Sequence, residues 1–105
     1  MNIVAEIGLP AVLEQTAEEA AELSKACLKL ARVIRGENPT PVTYDEALKD
    51  VKEESTDVSV CLSVLDWYSD VHVHGSDYIK TYNQKTKRWM ERIAEMKKER
   101  EEKGE

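Results

Sequence analysis

Turn-forming residues are too scarce in this chain for a β-rich fold: only 4 Gly and 3 Pro occur in 105 residues. A sandwich or barrel needs a tight turn between every pair of short strands. The apolar residues follow a helical rhythm instead. Val12, Leu13, Ala17, Ala20, Leu23, Cys27, Leu30, Ala31 and Ile34 recur at helical spacing. This run opens at Leu9-Pro10, where a helix tolerates proline, and Gly36 stands where a C-cap glycine is expected. Pro39 and Pro41 interrupt the pattern. Thr43-Tyr-Asp-Glu46 then reads as a capping box, and a second helix through Val51, Val58, Cys61 and Leu65 is expected to end near Tyr68–Val71. After a joint at about 70–75, Ser76 is the expected cap of a third helix carrying Tyr78, Tyr82, Trp89, Ile93 and Met96. The sequence therefore predicts one all-α domain over residues 1–105 with three long helices. Its almost wholly charged tail, 97–105, is expected to be a solvated, fraying helix end.

Composition narrows the function classes. Hydrophobic residues at 41% and charged residues at 34% suit a globular domain rather than a disordered one. The net charge of −6 argues against a nucleic-acid binder, which needs basic surface to displace counterions. The longest uncharged stretch, Val58–Leu65, is far too short to span a bilayer. Met1–Pro10 has neither a basic residue nor a long apolar run, so a secretory signal is not expected. Cys27 and Cys61 belong to no CxxC pair and read as buried free thiols. Together these features point to a soluble cytoplasmic protein.

The first helix has an unusually wide apolar sector. At about 100° per residue, Val12, Leu13, Ala20, Leu23, Leu28, Leu30 and Ile34 cover more than half its circumference. Such breadth calls for burial on two sides, which three helices of one chain hardly supply. A helical bundle completed by homo-oligomerisation is the expectation.

Acidic residues interrupt the apolar faces. Val12, Leu23, Ala26 and Leu30 fall within about 40° of Glu19 on a helical wheel, and Glu22 lies about 60° away. Glu18 falls instead on the solvated side with Glu14, Lys25, Lys29 and Arg32. On the second helix Ala47, Val51, Val58, Cys61, Leu65 and Tyr68 cluster around Glu54, with Asp57 about 60° to one side and Asp50 nearby. Each helix thus sets an acid pair, three residues apart, toward its core side. Unpaired carboxylates there are costly. They must meet a cation or hold protons, and oxygen-only donors suit Mg²⁺ or Mn²⁺.

Glu18-Glu19-Ala-Ala-Glu22, followed by Glu54-Ser-Thr-Asp57, resembles the EExxE…ExxD signature of the MazG-type all-α nucleoside triphosphate pyrophosphohydrolases. Asn83-Gln84-Lys85-Thr86-Lys87-Arg88 resembles that family's third element, an Asn-x-Lys followed by Arg. The resemblance covers roughly residues 11–93. It implies Mg²⁺-dependent hydrolysis of a nucleoside triphosphate between the α- and β-phosphates, giving a monophosphate and pyrophosphate. It also implies metal binding by Glu19, Glu22, Glu54 and Asp57, and a tight dimer or dimer of dimers. Glu18 or Glu22 would orient or deprotonate the attacking water, and Asn83, Lys85 and Arg88 would bind substrate.

Other residues carry weaker expectations. His72-Val-His74 has the alternation of a metal-ligand pair but reads as exposed and without function. Among the aromatics able to stack a base, Trp89 is expected in the core, while Trp67 falls toward the polar side. The competing class is a catalytically inactive helical interaction or adaptor module that uses the wide apolar face. A dimetal redox protein ranks last, because bundle examples use Glu-x-x-His pairs and neither His lies near the acids.

Overall fold

The computed structural model describes residues 1–36, 40–68 and 70–104, which are helical with no strand among them. The elements in chain order are α1 (Ile3–Ile7), α2 (Leu9–Arg35), α3 (Tyr44–Asp66) and α4 (Tyr78–Glu102). Three long helices match the sequence pattern; the short α1 adds a fourth. Its start is fixed by Asn2, whose side chain accepts a hydrogen bond from the Ala5 N–H at 3.3 Å. Pro39, in the first expected joint, and Ser69, at the expected end of the second helix, lie outside the described residues.

By internal contacts the chain divides into two units, Met1–Val73 and His74–Glu105. In the first, the single residue Gly8 separates α1 from α2, and its φ of 86° is open to glycine but strained for other residues. Helix α2 ends as the sequence predicts. Gly36 adopts the left-handed conformation (φ 65°) and its N–H donates to the Arg32 carbonyl at 2.9 Å. Arg32 and Arg35 in the last turn complement the negative end of the helix dipole. Helix α3 starts at the predicted cap: Thr43 Oγ1 accepts from the Glu46 N–H at 3.2 Å. It stops at Asp66, slightly earlier than expected.

The principal packing is α2 against α3, with α1 laid on both. Val4, Val12, Val64 and Leu65 are buried together, and Leu62, Tyr68 and Val71 pack around them. Further along, Ala26 of α2 and the fully buried Ala47 of α3 place small side chains where these two helices meet. The wide apolar sector of α2 is only partly covered within this unit. Val12 and Ala26 are buried, whereas Leu13, Leu28 and Ile34 are exposed. Cys61 is buried as expected, but Cys27 is exposed; both thiols are free. Cys27 sits at the margin of the apolar sector, outside the stripe that α3 covers.

The second unit is built on α4. The helix begins at Tyr78 after Asp77 rather than at a Ser76 cap, and Asp77 makes no side-chain capping bond. Instead the Tyr78 N–H donates to the Gly75 carbonyl at 3.0 Å, and the His74 and Tyr78 rings meet edge-on with centroids 4.7 Å apart. The charged run after Lys97 stays helical through Glu102. No residue of α4 is buried. Trp89 is therefore not a core residue: it is 65% exposed, beside exposed Met90, Ile93 and Met96. The amphipathic pattern foretold an apolar face, but not whether a neighbour covers it.

Candidate metal centre

Glu19 lies near the middle of α2, and Glu54 and Asp57 lie one turn apart on α3. The pairing of these helices brings one carboxylate oxygen from each residue to within 4.8 Å of the other two. Glu19 and Glu54 are half-buried and Asp57 is exposed. Gln15, one turn before Glu19, donates from Nε2 to Glu19 Oε1 at 2.7 Å and restricts that carboxylate. Among the described residues, none of the three acids forms an ion pair with Lys, Arg or His.

The electrostatic strain gathers on Glu54. Half-burial pushes its carboxyl above the ordinary carboxylate range, and the nearby charges of Asp57, Glu19, Glu22 and Asp50 push it the same way. A divalent cation reverses that effect, because it stabilises the ionised form of every carboxylate around it. The donor set fits a hard cation: three oxygens and no nitrogen or sulfur. Three oxygens shared by one octahedral cation would include at least two neighbouring pairs about 3 Å apart, so the three carboxylates would have to draw closer than the 4.8 Å within which they lie.

The other expected site residues occupy different positions. Glu22 is exposed and lies outside the three-oxygen cluster, with its Oε1 4.0 Å from Lys25 Nζ, although its charge still acts on Glu54. Glu18 is exposed on α2, away from the helix face that meets α3. Asn83, Lys85 and Arg88 are exposed on α4 in the second unit. His72 and His74 are exposed, as expected. So is Trp67, at 58%.

Sequence reasoning assigned Lys25, Lys29 and Arg32 to the solvated face and gave them no further role. They line a cleft of about 320 Å³ together with Glu22, Asp50 and Glu54. Their spacing along α2, four and then three residues, was the available signal, since it puts three cations on one helical stripe. Glu54 belongs both to the carboxylate cluster and to this cleft.

No known family model, curated protein or solved structure matches this chain.

Proposed function

We propose that the protein is a metal-dependent nucleoside triphosphate pyrophosphohydrolase of the MazG type, working in the cytoplasm as a homodimer or dimer of dimers. The observation that carries this reading is the meeting of Glu19, Glu54 and Asp57, at the ordered motif positions, with no Lys or Arg paired to them among the described residues. The substrate is itself a polyanion, so an acidic site can take it only through a shared cation.

In this reading Glu19, Glu54 and Asp57 would hold Mg²⁺, or Mn²⁺, and Glu22 is assigned to the same site on the strength of the motif alone. Such a cation, when bound, would supply charge neutralisation at the phosphates, polarisation of phosphorus and a lowered pKa for an attacking water. Glu18 or Glu22, both exposed carboxylates on α2, orients that water and takes its proton. The water oxygen bonds to phosphorus as the bridge between α- and β-phosphates breaks, releasing a nucleoside monophosphate and pyrophosphate. Asn83, Lys85 and Arg88 are assigned to substrate binding on the strength of the motif alone. Oligomerisation has separate support: Leu13, Leu28 and Ile34 on α2, and Trp89, Met90, Ile93 and Met96 on α4, are exposed in the single chain. These exposed apolar residues favour a second reading, a helical adaptor module without activity.

The deciding experiment measures pyrophosphate release from a panel of ribo- and deoxynucleoside triphosphates with Mg²⁺ or Mn²⁺, and with EDTA as control. Cation-dependent release supports the enzyme. No release from folded, oligomeric protein leaves the adaptor.

A further inference from the structure

The cleft beside the carboxylate cluster holds three cations, set among three acids, that the metal reading does not use. Of its three cations, Lys25 is engaged by Glu22. Among the described residues, Lys29 and Arg32 pair with no carboxylate, although Asp50 and Glu54 line the same cleft. Lys29 is moreover half-buried. An ammonium and a guanidinium that line a cleft without a carboxylate partner can donate charge-assisted hydrogen bonds to an incoming anion.

The arrangement has a direction. From Lys25 to Arg32 is seven residues, about 10 Å along the helix axis. That is the scale of an extended chain of a few phosphate groups. One wall of the cleft, at Glu54, belongs to the metal cluster. Lys29 and Arg32 follow Glu22 along α2 toward its C-terminus. A polyphosphate whose near end shares a cation with Glu19, Glu54 and Asp57 would meet these two side chains with its far end.

We infer that the cleft walled by Lys25, Lys29 and Arg32 is the polyphosphate channel of the site, with Lys29 and Arg32 binding the phosphates farthest from the carboxylate cluster. This deepens the pyrophosphohydrolase reading and rests on it for the nature of the substrate. It gives terminal-phosphate recognition to α2 itself. The chemical class is a linear polyphosphate with a bound divalent cation. The nucleoside need not enter this cleft.

The test uses the full-length chain and inorganic tripolyphosphate with Mg²⁺, followed by calorimetry, alongside the KM for pyrophosphate release. The double variant Lys29→Gln/Arg32→Gln is compared with wild type and with Lys98→Gln/Arg100→Gln, which makes the same charge change at exposed sites on α4. All three are checked for equal helicity. Lys29→Gln/Arg32→Gln is expected to weaken tripolyphosphate binding about tenfold per cation removed, with wild-type affinity kept in the α4 variant. Binding lost in this way from a protein that releases no pyrophosphate keeps the channel and removes the enzyme reading. Pyrophosphate release with an unchanged KM in Lys29→Gln/Arg32→Gln keeps the enzyme and overturns the channel. Absence of tripolyphosphate binding by wild type, or equal losses in both variants, also overturns it.

Discussion

Replacing Glu54 by Gln separates two effects of opposite sign. Without a cation, Glu54 is the carboxyl disfavoured by half-burial and by the charges of Asp57, Glu19, Glu22 and Asp50. The amide keeps the shape and removes the charge, so the metal-free variant is expected to melt at or above the wild-type temperature. With Mn²⁺ the order reverses. A ligand at one hundred times its dissociation constant stabilises the fold it binds by about 2.7 kcal/mol. For a unit the size of Met1–Val73, at about 4–8 °C per kcal/mol, this is a rise of about 10–20 °C in wild type. The variant, left with two carboxylates, is expected to gain far less. The pH dependence gives a second readout. Because the folded-state pKa of Glu54 is raised, its contribution to stability is complete below the ordinary carboxylate range and is lost as pH rises through the raised value. Metal-free wild type should therefore lose more stability than Glu54→Gln between acid and neutral pH. Thermal melts followed by circular dichroism, with EDTA or with Mn²⁺, decide the matter. Equal Mn²⁺-induced rises in both proteins, or a metal-free variant clearly less stable than wild type, would refute the reasoning.

Glu19→Gln is expected to weaken Mn²⁺ binding at least tenfold in calorimetry, whereas Glu18→Gln leaves the affinity within about twofold, because only Glu19 reaches the cluster. Leu65→Ala empties a side chain that is 3% exposed at the centre of the first unit; urea unfolding should show a loss of about 2–5 kcal/mol. A thiol reagent should titrate Cys27 in native protein and Cys61 only after unfolding, since the first is exposed and the second buried.

The cluster was largely legible in the sequence because two helices that pack by apolar stripes must also bring together whatever interrupts those stripes. Glu19 and Glu54 interrupt them centrally, and Asp57 follows one turn on. Glu22 has the same spacing and the same offset of about 60° from Glu19 as Asp57 has from Glu54, yet its side chain lies with Lys25 rather than in the cluster, a difference that the helical wheel does not distinguish. Capping was legible too, since Thr43 and Gly36 act through short-range geometry that the local sequence fixes. Helix α1 was missed because five residues carry too little periodicity to register, although Asn2 was a usable start signal. Trp89 and Cys27 were misplaced for another reason. An apolar position on a helix records that some surface is hydrophobic, not that the same chain covers it.

The three clustered oxygens come from the middle of two helices rather than from a loop. A screw step of α2 against α3 by a single residue, about 1.5 Å along its axis and about 100° around it, would exchange this set for another. Glu18 or Ala20 would then stand where Glu19 does. The cluster is therefore a gauge of helix register. Any cation seated there would act as a pin between two segments far apart in sequence, and its affinity would measure how faithfully the hairpin of α2 and α3 has closed.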